Sequence, residues 1–118
     1  MNNAGTMELI APPDWLSAGD YRSQCEVNLF GPIDVTMTFL PLVKKTSGRI
    51  VNMSSNFGLV SNPIFAPYCV SKFGIEAFTD SLRYGRLSHL SRCDLSGLHN
   101  SFVHYAVFIY TLSWVNRL

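Results

Sequence analysis

Charge is scarce in this sequence and nearly balanced. Nine Lys and Arg stand against eight Asp and Glu, so the net charge is +1, and charged residues make up only 14% of the 118. A nucleic-acid-binding surface carries a basic excess, and none is present. A disordered chain combines low hydrophobicity with high charge, whereas hydrophobic residues here reach 47%. Cysteine is sparse too. Cys25, Cys69 and Cys93 form no Cys-x-x-Cys pair, and an odd, scattered set is no disulfide framework. These thiols read as small hydrophobes in a reducing compartment. The start of the sequence has no basic stretch followed by an apolar run, so no signal peptide is expected. His89, His99 and His104 share no ligand spacing with cysteines or carboxylates. No metal site is expected, and they read as surface or boundary residues. Internal repeats and low-complexity tracts are lacking.

The length suits one small domain. Abundant apolar residues with little charge suggest elements buried on both faces, as in α/β proteins, or apolar surface that has lost its cover. Ala11-Pro12-Pro13 stops any regular element. Asp14 to Ser17 opens a helical region, with Ser17 and Asp20 as a capping pair. Leu29, Ile33, Met37, Leu40 and Val43 recur at helical spacing and predict an amphipathic helix over about 29–45. Pro32 predicts a kink or break near its start. Lys44 and Lys45 suit the dipole of its last turn, and Ser47-Gly48 ends it. Arg49 to Ser55 reads as a buried parallel strand. Residues 58–67 read as loop, broken by Asn62-Pro63 and Ala66-Pro67. Tyr68 to about Arg83 predicts a second helix, with Val70, Phe73, Ala77, Phe78 and Leu82 as core candidates. A helix–strand–helix run of this kind is the central portion of a doubly wound parallel sheet.

The text changes character at Tyr84-Gly85. Residues 1–83 read as one partial domain, and 84–118 as a divergent tail of unknown structure. Residues 86–101 show weak periodicity. Ser101 to Val115 is almost wholly apolar and aromatic, yet shorter than the ~20 residues of a membrane-spanning helix. It reads as a buried strand or helix, or, through its Tyr and Trp residues, as a membrane-interface contact over 102–115.

Four side chains carry the chemistry: Asn28, Ser55, Tyr68 and Lys72. Tyr68 and Lys72 stand at i and i+4 and share a helix face. An ammonium beside a phenol favours the phenolate over its ordinary pKa of ~10. A tyrosine so placed can serve as general acid or base. Ser55 ends the strand thirteen positions before Tyr68, where open α/β sheets bind ligands. By itself Tyr-x-x-x-Lys is a weak signal, since a solvated Lys beside a half-buried Tyr gives the same text.

The surrounding motifs resemble the short-chain dehydrogenase/reductase family. Asn2-Asn3-Ala4-Gly5 is similar to its Asn-Asn-Ala-Gly motif. Val27-Asn28-Leu29 is similar to the segment of its helix asparagine. Asn52-Met53-Ser54-Ser55, Gly58 and Tyr68-Cys69-Val70-Ser71-Lys72 are similar to its serine and tyrosine motifs. The text around Asn28, Leu40-Pro41-Leu42 and Tyr68–Phe78 resembles the retinol and hydroxysteroid dehydrogenase branch. The resemblance covers about residues 2–83 and implies a partial Rossmann-like fold.

It also implies roles. Tyr68 would exchange a proton with the substrate oxygen. Lys72 would lower the tyrosine's pKa and bond the nicotinamide ribose. Ser55 would hold the substrate oxygen, and Asn28 would place a relay water. Asn2, Ala4 and Gly5 would line the adenosine side of the cleft for NAD or NADP. Substrates would be small apolar alcohols or ketones, retinoids or steroids. The setting would be intracellular, at the endoplasmic reticulum membrane. The two long helices would allow homo- or hetero-dimers. Phe65-Ala66-Pro67 stand where that branch has a glycine-rich approach, which predicts a narrower space beside Tyr68. The family's Gly-rich turn for the pyrophosphate is not in the sequence, and neither the family's next strand nor its Pro-Gly motif is found in 84–118. The chain is therefore expected to be truncated at both ends and impaired. The alternative is an inactive product that pairs with an intact paralogue.

Overall fold

The computed structural model describes residues 1–84 and the backbone of Ser91–Asp94. The 102–115 segment, the three histidines and the remainder of the tail lie outside the described residues. Helix α1 spans Ala18–Cys25, passes into a π-helical turn at Glu26–Phe30, and continues as α2 over Gly31–Lys45. Strand β1 is Ile50–Met53, helix α3 is Ala66–Tyr84, and strand β2 is Ser91–Asp94. Short 3-10 turns stand at Pro13–Trp15, Asn56–Gly58 and Pro63–Phe65.

Helix α1 starts as the sequence predicts. The Asp20 carboxylate accepts from the Ser17 backbone N–H and from the Ser17 hydroxyl, both at 2.7 Å. Those two bonds hold the Asp20 carboxyl below its ordinary pKa, the backbone bond contributing most. The expected break at Pro32 is not there. The helix instead widens into the π turn just ahead, and Pro32 stands in the first turn of α2, so the run continues past the missing N–H without breaking. Helix α2 ends in a Schellman motif: Gly48 N–H bonds the Val43 carbonyl at 2.8 Å and Ser47 N–H the Lys44 carbonyl at 3.3 Å. The left-handed position falls on Ser47, at φ 49°, and not on Gly48.

Strand β1 pairs in parallel with β2, in register Ile50 with Ser91 through Met53 with Asp94. On its other edge Asn2 forms a parallel bridge to Asn52. The strand that the family pattern places after α3 is not legible in the sequence, so β2 at Ser91–Asp94 corrects that reading. The sequence there lacks clear periodicity, and its pairing comes from the edge that β1 offers. Laterally paired residues project to the same side of a sheet. Asn2 reaches α2 and Asn52 reaches α3, so among the described residues both helices lie on one face.

The core between sheet and helices is unusually polar. Asn2 Nδ2 donates to Thr36 Oγ1 at 2.9 Å and to Asn52 Oδ1 at 2.7 Å. Asn52 Nδ2 donates to Thr79 Oγ1 at 2.8 Å, and that hydroxyl donates to the Ile75 carbonyl at 2.7 Å. Each side chain of this string has a partner, as a low-dielectric interior demands.

This polarity overturns part of the expected core. Of the α3 candidates, Val70, Phe73 and Ala77 are exposed, and Phe78 and Leu82 are half-buried. The buried stripe is Cys69, Ser71, Lys72, Ile75 and Thr79. Hydrogen bonds to the asparagines and strand carbonyls select that face, so hydrophobic periodicity points to the wrong one. In α2, Met37 is likewise exposed, while Pro32 and Thr36 are buried. Cys25 and Cys69 are buried free thiols. Burial, with the Glu26 charge as the smaller cause, pushes the Cys25 thiol up.

Candidate active site

Lys72 is buried, and its ammonium donates to the Met53 carbonyl at 2.9 Å. That carbonyl is the last of β1, so the charge sits at the carboxyl end of a parallel strand. The Lys72 Nζ also lies 5.6 Å from the centre of the Tyr68 ring. The i, i+4 spacing on α3 thus brings ammonium and phenol together as the sequence predicts.

Ser55 follows β1 and caps the 3-10 turn Asn56–Gly58. Its hydroxyl accepts from Phe57 N–H at 3.2 Å and donates to Asn56 Oδ1 at 2.9 Å. The turn leans on Tyr68 through Phe57, whose ring meets the tyrosine edge-on at 6.2 Å. Phe65 packs on the same Phe57 ring at 5.1 Å. Phe65 therefore stacks against the turn that carries Ser55. Gly58 lets that turn lie flat on α3: a Cβ there would stand 2.7 Å from Ser54 Oγ and 2.9 Å from the Lys72 carbonyl.

Asn28 is buried in the π turn. Its Oδ1 accepts from Thr6 N–H at 2.8 Å, and its Nδ2 donates to the Thr6 carbonyl at 2.8 Å and to Ser71 Oγ at 3.1 Å. Ser71 in turn donates to the Tyr68 carbonyl at 2.7 Å. Pro32 has no N–H, so the Asn28 backbone carbonyl lacks the i+4 donor a regular helix would supply.

The Asn2–Gly5 segment divides in two. The backbone N–H and carbonyl of Asn2 pair with β1, and its side-chain nitrogen belongs to the core string. Ala4 and Gly5 are exposed. A Cβ on Gly5 would lie 3.4 Å from Asn28 Oδ1 and 3.7 Å from Lys72 Nζ. A lysine ammonium beside a bare glycine backbone is chemistry compatible with the ribose hydroxyls of a dinucleotide. Among the described residues no cluster of three or more His, Cys, Asp or Glu side chains could hold a metal.

Sequence reasoning missed Thr6, Gln24 and Ser71. For Gln24 alone a signal was present, as a polar residue four before Asn28 on the same helix face.

The match to known proteins has the same content. A family model described as short chain dehydrogenase matches residues 1–89. The chain is 46% identical over 84 residues to mouse D-beta-hydroxybutyrate dehydrogenase, mitochondrial, spanning 71% of this chain and 24% of that protein. It is 47% identical over 83 residues to rat retinol dehydrogenase 7, spanning 70% and 26%. A solved 4-hydroxyisoleucine dehydrogenase complexed with NADH superposes with TM-score 0.67 at 28% identity, over 77% of this chain and 40% of that one. The chain belongs to the short-chain dehydrogenase family. It spans about a quarter of the length of these curated relatives.

Proposed function

We propose that the chain carries the proton-transfer centre of an NAD(P)-dependent oxidoreductase acting on the CH–OH group of apolar alcohols such as retinol or hydroxysteroids. The observation that carries this reading is Lys72 at the carboxyl end of β1, with its ammonium 5.6 Å from the Tyr68 ring. When bound, the cofactor supplies the hydride donor or acceptor. In the oxidation direction Tyr68 takes the alcohol proton as the C–H electron pair leaves the carbinol carbon, and a carbonyl results. Reduction reverses each transfer. Lys72 fixes the local positive charge and offers donors to a ribose. Ser55 turns its hydroxyl from Asn56 to the substrate oxygen. Asn28 holds the Gly5–Thr6 backbone beside Lys72, and its backbone carbonyl is the place for a relay water. Ala4 and Gly5 line the cofactor side, and Asn2 anchors them to β1.

The apolar substrate class rests on the loop between Ser55 and Tyr68. It carries Phe57 and Phe65, with Leu59, Val60 and Ile64 exposed. Retinol dehydrogenase 7 supports the same class by its name. An intracellular setting suits both relatives, one of them mitochondrial by name, and an endoplasmic reticulum location is the branch expectation. No helix among the described residues is long and apolar enough to cross a membrane.

A second reading keeps the fold without catalysis. Phe39 and Leu42 on α2, and Val70 and Phe73 on α3, are large and exposed. They would seat a second copy or an intact paralogue. The test is a titration with NADH and NADPH followed by cofactor fluorescence, then turnover of retinol, a hydroxysteroid and D-β-hydroxybutyrate. Saturable binding with retinol or steroid turnover supports the first reading. No binding at millimolar cofactor, with a dimer in light scattering, supports the second.

A further inference from the structure

Gln24 is 2% exposed, yet its amide is fully engaged. Its Nε2 donates to the Thr6 carbonyl at 2.8 Å and to Thr6 Oγ1 at 3.2 Å, and its Oε1 accepts from Glu8 N–H at 3.1 Å. Asn28, one helical turn on, grips the same residue: it takes the Thr6 N–H and bonds the Thr6 carbonyl. The Thr6 carbonyl thus accepts from both side chains. Among the described residues the Thr6–Glu8 segment has no strand partner, and two side-chain amides stand in for one. Gly5 directly precedes this clamp and faces Asn28 Oδ1 and Lys72 Nζ.

We infer that Gln24 is a positioning residue, which through Thr6 sets where the Gly5 backbone and the Asn28 amide stand beside Lys72. This rests on the proposed cofactor site only for its functional consequence. Without Gln24, the Thr6 backbone keeps only Asn28 as a partner among the described residues, and the segment can swing about that point. Gly5 then drifts over the ammonium, where the ribose would sit. Glu8 adds a tie: its carboxylate accepts from Ser23 Oγ at 3.1 Å and Thr6 Oγ1 at 3.4 Å. Those bonds are exposed and weaker, so the clamp depends on Gln24.

The test compares the full chain with Gln24→Met and Gln24→Glu, by amide exchange in NMR and by NADH titration. Gln24→Met removes both functions. Exchange at Thr6, Glu8 and the Asn28 side-chain amide is expected to quicken at least tenfold. Gln24→Glu keeps an acceptor for Glu8 but has no donor for Thr6. There Glu8 stays protected, while Thr6 and the Asn28 amide exchange faster. In both variants NADH binds about tenfold more weakly. Unchanged exchange at Thr6 and Asn28 in both variants overturns the inference, as does faster exchange with wild-type NADH affinity. If the wild-type chain takes no NADH, the proposed function fails instead. The Asn28 amide then decides alone: wild-type exchange in Gln24→Met overturns the positioning role, and faster exchange upholds it.

Discussion

Asn28 and Thr6 hold each other by both faces of an amide. The Asn28 oxygen takes the Thr6 N–H and the Asn28 nitrogen meets the Thr6 carbonyl, each at 2.8 Å. This is the pairing one strand offers another, made by a side chain. It needs a donor and an acceptor at once, and the Asn28 amide supplies both from one side chain.

Asn28→Ala is expected to destabilise the chain by about 1–3 kcal/mol, because the Thr6 groups and Ser71 Oγ lose their buried partner. Asn28→Asp should cost more, since a carboxylate faces the Thr6 carbonyl where a donor stood. Urea unfolding of the two variants checks both the size and the order.

Tyr68→Phe removes only a hydroxyl, and the Phe57 edge contact needs only the ring. The variant should unfold like wild type and lose all turnover wherever wild type has any. Retained turnover would remove Tyr68 from the proposed proton transfer.

Gly58→Ala places a Cβ 2.9 Å from the Lys72 carbonyl, a backbone atom that cannot rotate away. The turn must lift from α3, at about 1–3 kcal/mol by the usual cost of overpacking. Ser55 rides on that turn, so any activity should fall together with stability in thermal melts.

Ser47→Gly acts in the opposite direction. Ser47 holds the left-handed position of the α2 cap, at φ 49°, a conformation that costs an L-residue roughly 1 kcal/mol. The glycine variant should be more stable by about that amount, read as a rise in the urea midpoint.

Asp20 sets an acid limit on α1. Its folded pKa is lowered by the Ser17 bonds. The stabilisation is therefore fully present above the ordinary carboxylate pKa and is lost as pH falls through the depressed folded value. Amide exchange in the first turn of α1 should rise over that range in wild type. Asp20→Asn should show no such pH dependence.

The legible parts of the fold were those written in local chemistry. The Ser17–Asp20 start, β1 and the Tyr68–Lys72 face all follow from neighbours in sequence. The α3 core did not, because Ser71, Lys72 and Thr79 are buried by partners far along the chain. A pattern that ranks residues by hydrophobicity assigns Val70 and Phe73 to the interior instead. The π turn was invisible for a related reason. Pro32 signals that a ladder bond is missing, but not whether the helix breaks or widens to absorb the loss. Of the proposed site, the motifs gave Asn28, Ser55, Tyr68 and Lys72 by name. The clamp at Thr6 needed the folded path of residues that carry no secondary structure.

The string from Thr36 through Asn2 and Asn52 to Thr79 bears on how the chain comes together. Each of its links closes a loop of tens of residues, and none can be satisfied within a single helix or turn. Until the last piece arrives, the buried amides must stay hydrated, so an intermediate with α3 docked and residue 2 still free gains little. Assembly is thereby biased towards all-or-none, with the barrier dominated by chain closure between the first strand edge and the two helices.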